Sequence, residues 1–364
     1  MTTKITYVAS APFEAARHVD VLPAHHRSRR LHGHSFLATI HCCLPSGFAA
    51  YPGGEIEGLK TRLESQVAKL DYRLLNEQMD APTDENIARW VKVHCDVPGM
   101  EIIGIQSTKH EGVEIDTLGG AHVWRRYSFQ SAHRLPNVPA GHKCGNMHGH
   151  GFDVIIHADH KLGESDFGID HEHFDACWAP IQEELDHACL NDLPGLENPT
   201  SEMLSSWIWN KLKSRLPELS RVTVFETASC GASYDGTHYQ IWKELTLDSA
   251  VRFKHAPEGS KQRKIHGHTY TLRLHLSAPL DEVMGWTIDF GDVKEVFNPI
   301  FNSLDHQALH QIPDLADCDS ASVASWILNK ARASLPQLYR VDLFETHGCG
   351  VIVSKDRQGP SLPV

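Results

Sequence analysis

No stretch of this 364-residue chain approaches the roughly 18 consecutive apolar residues of a membrane-spanning helix. The opening residues MTTKITYVASAPFEAARH also lack an apolar run followed by a small-residue cleavage site, so a cytoplasmic protein with no membrane partner is expected. Cys-x-x-Cys pairs are missing. The nine cysteines stand at 42, 43, 95, 144, 177, 189, 230, 318 and 349, an odd number without the spacing of a thiolate metal site or a disulfide framework. Reduced thiols are the default. Basic charge is scarce, with 34 Lys and Arg against 46 Asp and Glu for a net charge of -12, and the short cluster at Arg27, Arg29 and Arg30 is no phosphate-binding surface. Nucleic acid is therefore not an expected partner. Glycine and proline, at 26 and 19, are in no excess, and a hydrophobic content of 41% supports a folded core. The length calls for two or three domains of roughly 100–150 residues. What the chain does have in abundance is histidine, 26 of them.

The tripeptide His-Gly-His occurs at 32–34, 148–150 and 266–268, at steps of 116 and 118 residues (148 − 32 and 266 − 148). Two further markers keep that period: Leu-Asp-x at 70–72, 185–187 and 304–306, and GIQST, VFETA and LFETH around Gln106, Glu226 and Glu345. The period is too long for a solenoid. One domain is written three times, with boundaries near Gly119-Gly120 and in the polar stretch 231–249, which gives units 1–120, 121–245 and 246–364. After the third His-Gly-His, Tyr270, Leu272, Leu274 and Leu276 alternate with polar residues, the signature of a half-buried antiparallel strand. Pro199-Thr200-Ser201-Glu202 reads as a helix start, with Leu204, Trp207, Ile208 and Leu212 on one face. Val222, Val224 and Glu226 read as a closing strand. Each unit is thus ββααββ, an α+β arrangement with helices on one face of an antiparallel sheet.

In a strand, His148 and His150 share a face, and His133 in the preceding strand can supply a third imidazole across the hairpin. Three neutral imidazoles on Zn²⁺ leave a fourth position open, as in catalytic sites. One His-Gly-His alone reads equally well as a polar turn; an upstream histidine in two units, His133 and His255, favours the metal. The third unit, with His255, His266 and His268, is therefore expected to bind zinc as well. In the first unit Arg17 takes the upstream position, and no metal is expected there.

Cys144 lies four residues before His148, beside Lys143, where a cation and a nearby metal would lower its pKa and make it a general base. Ser28 and Gln262 hold the matching positions and cannot act so. Asp186-His187 and Asp305-His306 have the form of a carboxylate fixing an imidazole's tautomer for proton transfer, although a helix-end cap has the same form; the first unit has Asp71-Tyr72. Glu226 and Glu345 lie among apolar neighbours, where a ligand with two parallel N–H donors, or an arginine, would satisfy them; the first unit is read as having Gln106 there.

FQSAHRLPNVPAGHKCGNMHGH, LDHACLNDLPGLENPTSE, WIWNKL and VFET together resemble the 6-pyruvoyl-tetrahydropterin synthase family, and the second unit is similar to its bacterial 6-carboxy-tetrahydropterin synthases of queuosine biosynthesis. The resemblance implies zinc on His133, His148 and His150, Cys144 as the catalytic thiol and Glu226 as the pterin anchor. It implies the tunnelling fold, in which three units close a twelve-stranded barrel with helices outside and two rings stack. One chain would then be a pseudo-trimeric ring, and a homodimer a pseudo-hexamer. In the family an Asp-His pair from an adjacent subunit completes the thiol site; if each unit borrows from the next, Cys144 meets Asp305-His306. The implied reaction converts 7,8-dihydroneopterin triphosphate to 6-carboxy-tetrahydropterin, releasing acetaldehyde and triphosphate. The same site chemistry fits 6-pyruvoyl-tetrahydropterin formation or another pterin or purine carbon–carbon scission, and two decayed units fit a non-catalytic pterin-binding scaffold.

Overall fold

The computed structural model describes residues 3–162, 168–315 and 317–355. The first unit runs β1 (Lys4–Arg17), β2 (His32–Cys42), α1 (Glu55–Val67), α2 (Asp84–His94), β3 (Met100–Thr108) and β4 (Glu111–Asp116). The second repeats this as β5 (Gly120–His133), β6 (His148–Lys161), α3 (His171–Leu185), α4 (Ser201–Leu212), β7 (Leu219–Thr227) and β8 (Cys230–Tyr234). The third is β9 (Tyr239–Val251), β10 (His266–Leu276), α5 (Phe290–Leu304), α6 (Ser320–Ala331), β11 (Leu338–Thr346) and β12 (Cys349–Ser354).

These twelve strands pair antiparallel in chain order, and β12 closes on β1 with Ser354 opposite Lys4 and Gly350 opposite Val8. The barrel thus has no free edge, which is what three copies in one chain achieve. Alternation decides the two faces. Along β5, Ala121, Val123 and Phe129 are buried under the helices together with Phe174, Trp178 and Ile181 of α3. The other positions point inward and are polar: His41, His157 and Arg340 help to line an interior cavity of about 240 Å³. Asp342, 1% exposed, accepts from Arg340 Nε at 2.6 Å and lies 2.9 Å from His275 Nε2, so the interior charge is paired.

This inward polarity corrects the second boundary. The stretch 231–249 looks like a linker because its inward residues are polar, yet it is β8 and most of β9, and a break at 245/246 would cut a strand. The helices start where their caps allow. Thr83, Thr200 and Asp319 open the second helix of each unit; Thr200 Oγ1 accepts the Met203 N–H at 3.2 Å.

Candidate metal centre and thiol

β5 ends at His133, and the register sets it directly opposite His148, the first residue of β6, while His150 lies opposite Ser131. The rings converge: centroids are 4.5 Å apart for His133–His148, 5.2 Å for His133–His150 and 5.0 Å for His148–His150. Two backbone carbonyls fix which nitrogen faces the site. His133 Nδ1 donates to Pro199 O at 3.0 Å, and His148 Nδ1 donates to Asn146 O at 2.8 Å. A carbonyl can only accept, so the Nε2 lone pairs are left to the site. His133 Nε2 and His150 Nε2 are buried and have no hydrogen-bond partner. Burial lowers the pKa of both imidazoles against the pull of Glu226, which keeps them neutral.

Glu226 is the unpaired residue of a β-bulge, between Phe225 opposite Gly231 and Thr227 opposite Cys230. Its Oε1 lies 3.8 Å from His133 Nε2 and 3.6 Å from His150 Nε2, and Oε2 accepts from Ser201 Oγ at 2.7 Å. Four ligand atoms, from His133, His148, His150 and Glu226, therefore lie within 4.8 Å of one another. Orphaned buried nitrogens and a carboxylate in this arrangement fit a divalent cation with nitrogen and oxygen donors. The sequence leaves Glu226 to a substrate edge or to an arginine; its position makes it a candidate metal ligand too. Next to it, burial pushes the Glu202 carboxyl up to about 7, although it accepts from Thr287 N at 2.8 Å.

Cys144 sits half-buried in the turn that leads into β6, its carbonyl accepting from Leu135 N at 2.7 Å. Of the two causes expected to depress the thiol, Lys143 and a nearby metal, the first is outweighed. Burial and the Glu226 carboxylate push the thiol up, and Lys143 offsets them only in part, so Lys143 does not produce a thiolate by itself.

The third unit corrects the zinc expectation there. β9 ends at Val251, which stands opposite His266 where His133 stands opposite His148. His255 is four residues further on, exposed, with Nε2 3.2 Å from Asp317 Oδ1. His266 and His268 remain face to face, centroids 5.4 Å apart, but a buried valine replaces the third imidazole. Glu345 keeps the place of Glu226 and accepts from Ser320 Oγ at 2.6 Å; burial raises its pKa.

The first unit has a different solution. Arg17 stands opposite His32, its NH1 2.6 Å from Asp84 Oδ1 and its NH2 3.3 Å from His34 Nε2. The bulge residue is Ser107, not Gln106, and Ser107 Oγ donates to Asp84 Oδ2 at 2.8 Å. Carboxylate and hydroxyl have exchanged places: Asp84 and Ser107 hold the positions of Ser201 and Glu226. Burial and the Arg17 guanidinium take His34 down to about 4.

The two Asp-His pairs form, but neither is joined to Cys144 by a hydrogen bond or ion pair. His187 Nδ1 is 2.9 Å from Asp186 Oδ2, and His306 Nδ1 is 2.8 Å from Asp305 Oδ2. Both histidines, like Tyr72, sit with positive φ just beyond a helix, largely exposed. The turn carrying Cys144 instead meets the start of α5, where His142 Nε2 is 3.5 Å from Asp289 Oδ2. Asp305 follows the other end of this 15-residue helix, about 22 Å away at 1.5 Å per residue. Asp305-His306 thus lies at the opposite end of α5 from the contact that the Cys144 turn makes.

The family model for 6-pyruvoyl tetrahydropterin synthase matches three times, over residues 6–102, 122–237 and 240–356. The chain belongs to this family. The 6-carboxy-5,6,7,8-tetrahydropterin synthase of Synechocystis is 35% identical over 122 residues, covering 31% of the chain and 91% of that protein. The dihydroneopterin monophosphate aldolase of Pyrococcus furiosus is 30% identical over 100 residues, covering 27% and 84%. The solved 6-pyruvoyl tetrahydropterin synthase of Caenorhabditis elegans is 24% identical, covers 32% of the chain and 96% of its own length, and has a TM-score of 0.30.

Sequence reasoning missed the Pro199 carbonyl, the Asp84–Ser107 exchange and the His142–Asp289 contact. The helix-start signal at Pro199-Thr200 pointed to the first only as a cap. A metal-loaded preparation should contain about one divalent ion per chain by elemental analysis, and His133→Ala should reduce it to none. Two ions in the intact chain would restore the third-unit site.

Proposed function

We propose that the second unit is a zinc-dependent pterin lyase that converts 7,8-dihydroneopterin triphosphate to 6-carboxy-tetrahydropterin with release of acetaldehyde and triphosphate. The observation that carries this reading is the convergence of His133, His148 and His150 with Cys144 on the adjoining turn. The Synechocystis relative, whose name states the product, supports it. Zinc held by the three imidazoles would polarise a side-chain hydroxyl of the substrate and lower its pKa. Glu226 can accept the paired N–H donors at the edge of a pterin ring, Ser201 holding its second oxygen. Cys144, its thiol raised by the protein's own groups, becomes a base once cationic charge is added nearby.

The proton that must be returned requires an acid, and the Asp-His pairs have the form for it. With Asp305-His306 at the far end of α5 from the Cys144 turn, the pair would be supplied by a second copy of the chain. The surface supports such a partner: the residue before each His-Gly-His, Leu31, Met147 and Ile265, is a large apolar side chain exposed by 69%, 53% and 66%. Three repeats of one exposed apolar position on one ring fit a self-complementary face. The proposed assembly is a homodimer, a pseudo-hexamer of units, with soluble pterin as its small-molecule substrate. No described helix is long and apolar enough to cross a membrane.

The Pyrococcus relative favours a second reading, scission of a related dihydroneopterin by the same site. Incubation with each candidate substrate and mass analysis of the products separates the two. Cys144→Ala should lower turnover by about 10²-fold or more while metal content stays at the wild-type level; turnover surviving that change rejects the mechanism, and wild type inactive when metal-loaded points to a binding protein. Sedimentation should give about twice the 40.7 kDa chain mass, and Leu31→Glu with Ile265→Glu should shift it to the single chain. A monomeric wild type with full turnover contradicts the shared site.

A further inference from the structure

The segment of the third unit that leads into α5 lies on the second unit's site. Asn198 Nδ2 donates to Met284 O at 2.7 Å, and Thr287 N donates to Glu202 Oε1 at 2.8 Å, on either side of the Pro199–Ser201 stretch that holds His133 and Glu226. At the end of the segment stands Asp289, and its two oxygens have different tasks. Oδ1 caps α5, accepting from Gly291 N at 2.6 Å and Asp292 N at 3.3 Å; Oδ2 lies 3.5 Å from His142 Nε2.

The tautomer of His142 follows from its other nitrogen. His142 Nδ1 accepts the backbone N–H of Cys144 at 3.2 Å, and a backbone N–H can only donate. In the neutral ring the hydrogen is then on Nε2, directed at Asp289. A continuous line of contacts thus runs from the α5 N-terminus through Asp289 and His142 to the backbone of the thiol residue.

We propose that His142 and Asp289 are positioning residues for Cys144, so that the third unit sets the thiol of the second across the boundary between them. The inference rests on Cys144 acting as described above. A related arrangement recurs at the preceding boundary: His26 Nδ1 accepts the Ser28 N–H at 3.1 Å, and Nε2, buried and without a hydrogen-bond partner, lies 3.2 Å from Glu172 and 3.5 Å from Asp170 of the second unit. His26, Asp170 and Glu172 could be taken for a metal group. The Ser28 N–H on Nδ1 argues otherwise, because it leaves the hydrogen of the neutral ring on Nε2. Ser28 stands there in the place of Cys144, so the device orients the turn whatever residue it carries. At the third boundary Ser260 replaces the histidine, and Gln262 Nε2 reaches Glu57 of α1 directly at 2.6 Å.

Asparagine at 289 separates positioning from capping. Its oxygen can still cap α5, but its amide nitrogen then faces the Nε2–H of His142, donor against donor. The test uses metal-loaded full-length wild type, Asp289→Asn and His142→Ala, and reads iodoacetamide labelling of Cys144 by peptide mapping, with half-buried Cys189 as internal reference. Released from the latch, Cys144 should label at least about threefold faster in both variants with Cys189 unchanged. In the same variants kcat should fall about 10- to 100-fold with KM within about twofold and metal content unaltered. Wild-type labelling and wild-type kcat in Asp289→Asn would overturn the proposal, reducing Asp289 to a helix cap. Labelling requires no substrate, so a wild type without turnover would reject the assigned reaction while the labelling rates still decide the positioning role.

Discussion

The site depends on two hydrogen bonds that leave the site itself empty-handed: His133 Nδ1 to the Pro199 carbonyl and His148 Nδ1 to the Asn146 carbonyl. By taking up the Nδ1 hydrogens they turn two Nε2 lone pairs toward one point, and the hairpin register adds His150 from the same face. Buried nitrogens without partners are costly unless something accepts their lone pairs. The strands, the α4 cap and the bulge at Glu226 all serve that one arrangement. Slipping either ligand-bearing strand by a residue would turn its ligands to the other face of the sheet.

Closing the barrel within one chain frees each unit to change on its own. In a ring of three identical chains every substitution appears three times; here Arg17 with Asp84 and Ser107 fills the position in the first unit, Val251 in the third, and the imidazole set stands only in the second. The first unit replaces a bound cation by a guanidinium already attached to the chain, with the carboxylate moved to meet it. The third replaces it by hydrocarbon. Both keep the barrel closed, since that closure rests on backbone pairing and apolar faces rather than on the site residues.

Much of this was legible in the sequence. Three markers at one period show the triplication, alternation after His268 shows β10, and strand parity across a hairpin points to His133, His148 and His150. What failed did so where local geometry breaks the count. His255 looked equivalent to His133 because spacing alone does not show that β9 stops at Val251. Gln106 was taken for Ser107 because a bulge adds a residue that alternation does not register. Which Asp-His pair completes the thiol site has no local signature either, because it depends on which end of α5 meets the Cys144 turn. For the thiol, the sequence shows the neighbour Lys143 but not the burial and the Glu226 carboxylate, 82 residues away (226 − 144), that outweigh it.

X-ray absorption at the zinc edge of the metal-loaded chain tests the central claim most directly. Three imidazole nitrogens converging on one ion predict a first shell of nitrogen and oxygen at about 2.0–2.1 Å with imidazole multiple scattering and no sulfur. A shell at about 2.3 Å, the signature of a coordinated thiolate, would place Cys144 on the metal instead of beside it and contradict the account.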